Sequence, residues 1–381
     1  MWIATANLKE LMVEDPHLKP GKARTARGSY RRSRPSSTPL AERGASSEIS
    51  ARPPSTEGAH LSLAASLLYP DGPVVMNLSI VIPSYNAKAL LRQALTALRA
   101  ALPEDVEVIL IDGSSPDGSY AMVRQEFPWV RAQSCPNHGF AHAVNRGIEA
   151  ATAEHVLVLN SDLFLTREAL QAMRMHLASN ERVGAVAPVL VNLDGSRQRL
   201  FGAFGMVYWP NWRPVRVPAA VPLLSFACLM TRRSVLRDVG AFDESFFLYN
   251  EEYDWCVRAR RAGYRLEILP QTVVHVGAGS TTPSPALSLE ARRGFLYVVK
   301  KHAPPLVGRA LRRAMQFQGY CYKYIDPRDE HRRMWAIQES LMARSALMES
   351  PFPLSGRGDG PARPSWSALG DRAAQGPLTA T

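Results

Sequence analysis

His155-Val156-Leu157-Val158-Leu159 runs straight into Asn160-Ser161-Asp162, and how this stretch is read decides the fold. Five consecutive apolar or β-favouring residues are too few for a buried helix and right for a strand covered on both faces. A strand that stops at a carboxylate exposes it at the sheet's carboxyl edge, where open α/β sheets take their ligands. Asp162 placed there can hold a divalent cation against a diphosphate, because hard cations prefer oxygen. The same residues can equally cap a helix, and Thr166-Arg167-Glu168-Ala169-Leu170 begins one. A second acidic cluster, Glu251-Glu252-Tyr253-Asp254, lies far downstream and offers candidate general bases.

Outward from this strand the chain alternates. Leu78–Ile82 reads as a strand, 88–101 as an amphipathic helix and 106–111 as a strand ending in Asp112. Helix 119–126, a short strand near Val130, helix 142–151 and strand 183–191 continue the series. The pattern predicts an α/β fold with a mostly parallel central sheet and helices on both faces. Beyond it, 251–262 reads as a helix, and 265–269 and 273–275 as two strands. Tyr208-Trp209-Pro210-Asn211-Trp212-Arg213 reads as a loop over the site. Residues 286–345 form a basic, aromatic-bearing helical region, which suits either a packed surface helix or a membrane-interface helix.

The ends have a different composition. Residues 1–75 are rich in Arg, Ser, Pro and Ala without a period, as in Arg31-Arg32-Ser33-Arg34-Pro35, and read as a disordered extension. Met76 directly precedes the first strand and is the expected natural start, with a domain at 76–285. Residues 346–381 read as a flexible tail. With 381 residues, 46% hydrophobic and 21% charged, the chain can bury a sizeable core. A net charge of +11 fits an anionic partner such as a nucleotide diphosphate or an anionic lipid surface. No motif reads DNA or RNA bases, so nucleic acid is not expected as a partner. Cys135, Cys228, Cys256 and Cys321 are scattered, form no CxxC pair and do not suggest a disulfide framework or zinc site. With no bilayer-length apolar run and no signal-peptide core, the expected location is cytoplasmic, free or at a membrane's cytosolic face.

Three further stretches sit after strands. Pro83-Ser84-Tyr85-Asn86 offers a ring on which a base can stack, with Asn86 as cap of the next helix. Asp112-Gly113-Ser114-Ser115-Pro116-Asp117-Gly118 either binds a pyrimidine or ribose or is an ordinary Asp/Ser/Gly turn. Asn137-His138-Gly139 through Asn145-Arg146-Gly147 carries small residues that let a helix approach a ligand.

In this order the motifs resemble glycosyltransferase family 2, of GT-A fold, and within it the rhamnosyltransferase-like branch. The likeness runs through Leu159-Asn160-Ser161-Asp162, Gly240-Ala241-Phe242-Asp243-Glu244-Ser245-Phe246-Phe247-Leu248-Tyr249 and Val274-His275-Val276-Gly277. It implies a nucleotide-sugar site of Pro83, Tyr85, Asn86, Asp112, Asn137, Gly139, Asn145 and Asn160. It implies metal ligands Asp162 and His275 for Mg²⁺ or Mn²⁺. Glu252 occupies the place of the usual base, an aspartate in most members, with Glu251 and Asp254 beside it. Ser161 stands where proline is usual. The expected activity is inverting transfer of a sugar, rhamnose being one candidate, from a nucleotide diphosphate donor to a glycan or lipid-linked acceptor in cell-surface polysaccharide synthesis. The alternative is a glycosyltransferase-like protein that binds nucleotide or glycan without turnover.

Overall fold

The computed structural model describes residues 77–103, 106–198, 215–277 and 285–325, with Arg332, Trp335, Ala336 and Ser350 besides. The expected extension 1–75, the aromatic loop 208–213 and, Ser350 apart, the tail 346–381 lie outside these residues.

The strands are β1 (Leu78–Ser84), β2 (Glu107–Asp112), β3 (Arg131–Ser134), β4 (His155–Leu159), β5 (Leu163–Phe164), β6 (Val183–Val191), β7 (Ala219–Ala220), β8 (Cys228–Arg232) and β9 (Arg265–His275). The helices are α1 (Lys88–Ala101), α2 (Ser119–Glu126), α3 (Phe140–Ala150), α4 (Arg167–Ala178), α5 (Arg233–Val239), α6 (Glu251–Arg261), α7 (Pro285–His302) and α8 (Pro305–Ile325). Among the described residues all nine strands form one sheet, in the order β3-β2-β1-β4-β8-β6-β9-β5, with β7 on β9.

β1, β2, β3 and β4 are mutually parallel, and β9 is parallel to β6. β8 runs antiparallel between β4 and β6, which restores β6 and β9 to the direction of β4. The sheet is therefore mixed, with β5, β7 and β8 opposed to the other six strands. Where two strands were expected at 265–269 and 273–275, one strand runs through. An irregularity in its pairing with β6, between Pro188 and Val189, absorbs the break.

Side-chain alternation divides the core in two. Leu78, Ile80, Ile82, Leu157 and Leu159 meet Leu91 and Leu95 of α1 and Leu170 and Met173 of α4 on one face. Val81, Ile109, Ile111, Val156 and Val158 meet Val144 and Ile148 of α3, Leu236 of α5 and Trp255 of α6 on the other. A strand buried on both sides has no polar positions to spare, which is why β1, β4 and β6 read as nearly continuous apolar runs.

Local roles differ from some of the readings the sequence offered. Asn86 does not cap α1: it takes a left-handed φ of 51° and donates its backbone N–H to Ser115 Oγ. Asp117 caps α1 instead, its Oδ2 accepting from the Lys88 N–H at 2.9 Å. Nor do Asn160, Ser161 or Asp162 cap α4, because Thr166 Oγ1 accepts from the Ala169 N–H at 3.2 Å. Gly147 presses against Val81 of β1, so that small residue serves helix–sheet packing.

Gly139 precedes α3 at a φ of 102°, with the Phe247 backbone lying where a Cβ would stand. Phe140 N–H donates to the Phe247 carbonyl at 2.7 Å across this contact. Gly139→Ala should therefore destabilise the fold by about 2 kcal/mol or more, read as a lowered melting temperature. An unchanged melting temperature would show that the two backbones can part freely.

Candidate active site

The parallel direction of β1, β2, β3, β4 and β9 brings the segments that follow them to one edge of the sheet. Tyr85 and Asn86 follow β1, Asp112 ends β2, Asn137 follows β3, Asn160 and Asp162 follow β4, and His275 ends β9. In the order β2-β1-β4 the chain reverses its direction of travel across the sheet at β1, and such a switch point opens a crevice at the carboxyl ends of the strands.

On the β1 side, Tyr85 is exposed and its ring lies beside Gly113. Pro83 is buried within β1, opposite Ile111. Asp112 is fully buried, and its carboxylate accepts from the Ser115 N–H at 2.8 Å and the Ser115 hydroxyl at 2.7 Å, which folds the loop beneath Tyr85. Asn137 Oδ1 accepts from the Gly139 N–H. Asn145 is engaged within the fold: its amide donates to the Phe242 carbonyl and to Glu244 Oε1, and its oxygen accepts from the Phe242 N–H. It fastens the 242–244 loop to α3. Arg146 is exposed and paired with Glu149.

On the β4 side, Leu163 pairs with His275 across β5 and β9, and the Asp162 carbonyl accepts from the Val276 N–H. This short antiparallel ladder is what joins residues more than a hundred positions apart. His275 Nε2 lies 3.2 Å from Asp162 Oδ1 and 3.4 Å from Asn160 Nδ2. Gln198 sets the imidazole. Its amide nitrogen donates to Asn192 Oδ1 and to the His275 carbonyl, so its Oε1 must accept from His275 Nδ1, at 2.8 Å. The Nε2 lone pair then faces Asp162, whose buried Oδ1 has no hydrogen-bond donor, as Asn160 Oδ1 has none. Imidazole nitrogen, carboxylate and amide oxygen form a donor set that suits Mn²⁺, and the oxygens suit Mg²⁺. Among the described residues no third His, Cys, Asp or Glu joins them, so further ligands would come from diphosphate and water.

The acidic cluster opens α6. Tyr249 and Asn250 both adopt left-handed φ angles, 71° and 73°, and turn the chain so that α6 starts at Glu251. Such strain in non-glycine residues persists only when the surroundings impose it. Here α7 imposes it: Glu290 accepts from the Phe247 N–H, Arg293 donates to the Ser245 carbonyl, and Asn250 donates to the Ala291 carbonyl. Glu251 and Glu252 each keep a buried oxygen without a donor. Burial pushes both carboxyls up, Glu251 furthest because the Glu252 charge adds to it. Asp254 is different. It is fully buried and satisfied by Arg258 at 2.8 Å, Lys301 at 2.8 Å and His302 at 2.7 Å, the contacts of a structural ion cluster.

Gln198, Glu290 and Arg293 had no signal in the sequence, because each acts on a partner distant in the chain; Glu244 stood in a quoted motif but without a role. Glu244 also accepts from His142 Nδ1 at 2.8 Å, and contacts with Cys135 and Glu244 hold His142 up to about 9. With its folded value above the ordinary 6.5, His142 contributes stability that is full below pH 6.5 and lost as the pH rises through about 9. The melting-temperature gap between the wild type and His142→Asn should therefore be widest below pH 6.5 and close near pH 9. A gap that widens with pH would reverse the assignment.

Residues 79–240 match the family model described as Glycosyl transferase family 2. The chain is 31% identical over 254 residues to N-acetylglucosaminyl-diphospho-decaprenol L-rhamnosyltransferase of Mycobacterium tuberculosis, covering 58% of this chain and 83% of that protein. It is 30% identical over 235 residues to the pre-mycofactocin glycosyltransferase of the same organism, covering 58% of this chain and 47% of that one. Mannosyltransferase PcManGT from Pyrobaculum calidifontis, in complex with GDP-Man and Mn²⁺, aligns at a TM-score of 0.45 and 20% identity, over 83% of this chain and 86% of that one.

Proposed function

Because the chain belongs to glycosyl transferase family 2, we propose that it performs inverting transfer of a sugar from a nucleotide diphosphate donor to a glycan or lipid-linked acceptor, in the synthesis of a cell-surface polysaccharide. The observation that supports this reading is the placement of Tyr85, Asn137, Asn160, Asp162 and His275 at strand ends on one edge of the sheet, with the loop that leads into Glu251 and Glu252 packed through Phe247 on Gly139 and Phe140. Likeness to a rhamnosyltransferase that acts on a polyprenyl diphosphate-linked sugar makes rhamnose the first donor to try.

In this mechanism Tyr85 offers its exposed ring to the base, and the Asp112–Ser115 turn shapes the floor for the ribose. Asp162 and His275 would hold Mg²⁺ or Mn²⁺, which neutralises the charge that develops on the departing diphosphate. Glu252 takes the proton from the acceptor hydroxyl as its oxygen attacks the anomeric carbon on the face opposite the diphosphate. The adjacent carboxyls suit this division of labour. Burial raises both carboxyls, Glu251 further because the Glu252 charge adds to it, which makes Glu252 a stronger base than a solvated carboxylate.

Nucleotide diphosphate release from a panel of rhamnosyl, N-acetylglucosaminyl and mannosyl donors, with and without Mn²⁺, tests the reading; no release from any donor would favour a binding protein. Glu252→Gln should lower turnover about a hundredfold or more with donor affinity kept, whereas Glu252→Asp should stay active. Asp254→Asn should act on the fold, costing about 3 kcal/mol through the cations left unpaired. If Glu252→Gln turns over normally and Glu251→Gln is inert with its fold intact, the base is Glu251.

A further inference from the structure

We propose that the outward face of α8 is a membrane-docking surface that lies in the interface of a bilayer containing anionic lipid. The helix rests on α7 through Met315 and Leu311, which join Phe295, Leu296 and Val299 in a small apolar cluster. At about 100° per residue, Leu306, Arg309, Arg313, Phe317, Tyr320 and Tyr324 fall along the opposite side. Leu306 is 71% exposed and Phe317 and Tyr324 each 68%, large apolar groups held in water with nothing in the α7–α8 packing to require them. Arg309 and Arg313 are exposed between them.

Charge decides the occupant. α8 carries Arg309, Arg312, Arg313 and Lys323 and no Asp or Glu. Lys323 Nζ lies 4.7 Å from the Tyr320 ring and 4.9 Å from the Tyr324 ring, so its stem runs along aromatic surface while its ammonium stays at the edge. Arginine and lysine beside tyrosine and phenylalanine is the composition of a helix lying at the headgroup level. A second copy of the chain fits poorly, because a two-fold contact would set these arginines against themselves with no acid on the face. Spanning is excluded for α8, since no helix among the described residues is long and apolar enough to cross a membrane. The inference stands on α8 alone, whichever sugar is transferred.

Sedimentation of the full chain with vesicles tests it, using phosphatidylcholine alone and with about 30 mol% phosphatidylglycerol. The wild type should partition onto the anionic vesicles, less so as salt rises. Arg309→Glu with Arg313→Glu should lower that partitioning about tenfold or more, each basic residue counting separately. Phe317→Ser with Tyr324→Ser should lower it at unchanged net charge. Arg182→Glu with Arg237→Glu, exposed arginines elsewhere, should leave it intact. All variants should keep the wild-type melting temperature and donor hydrolysis. Absence of wild-type partitioning, equal loss from both arginine pairs, or no loss from the aromatic pair would overturn the proposal. So would self-association abolished by the α8 variants, or tighter binding of a single-stranded oligonucleotide through the same residues.

Discussion

The full burial of the Asp254 carboxylate is the constraint on which the acidic half of the site depends. A charge taken out of water costs several kcal/mol unless it is paired and hydrogen-bonded. Arg258, one turn along α6, satisfies one oxygen, while Lys301 and His302 at the end of α7 satisfy the other. Arg261 donates to His302 Nδ1 at 2.9 Å, so that nitrogen accepts and Nε2 is left to donate to Asp254. The remaining nitrogens of Arg258 reach the carbonyls of Val239, the last residue of α5, and of Ala241 just beyond it. One carboxylate thus fastens α5, α6 and α7 together.

With the far end of α7 fixed in this way, its near end can grip the loop that aims the catalytic candidates. Glu290 and Arg293 are themselves buried and ion-paired at 2.6 Å, and they spend their outer atoms on the Phe247 N–H and the Ser245 carbonyl. The opposite side of that loop is held by α3, through Phe140 and Asn145. Clamped from both sides, Tyr249 and Asn250 can keep left-handed angles that cost of order 1–3 kcal/mol each. The result is two neighbouring carboxylates at a helix start, where the helix dipole offsets part of the cost of burying them.

Much of the nucleotide half was legible in the sequence, because buried parallel strands and amphipathic helices leave an apolar pattern of fixed period. α1, α2 and β6 fall where periodicity puts them. The second half was less legible. β8 and α5, within 228–239, went unread, since a strand slipped antiparallel between two others is specified by its partners and not by its own pattern. Roles set by distant partners were hidden for the same reason. Asp117 caps a helix twenty-nine residues before it, and Asn145 turned out to serve a loop ninety-seven residues away. The 251–254 cluster was visible as acids, but only the fold separates the ion-paired Asp254 from Glu251 and Glu252, each of which keeps one buried oxygen without a donor.

The mixed sheet explains how Asp162 and His275 reach one edge. A purely parallel continuation after β4 would carry the chain away from the β1–β4 crevice with each further unit. Inserting β8 upside down brings β6 and β9 back into the direction of β4. The two-residue β5, leaving directly from Asp162, then closes onto the end of β9 and sets His275 beside it. The 240–250 loop that follows α5 meets the start of α3, where the Phe140 N–H donates to the Phe247 carbonyl, and α6 begins directly after it. A carboxylate at a strand end and a histidine more than a hundred residues later thus meet because of a single reversed strand.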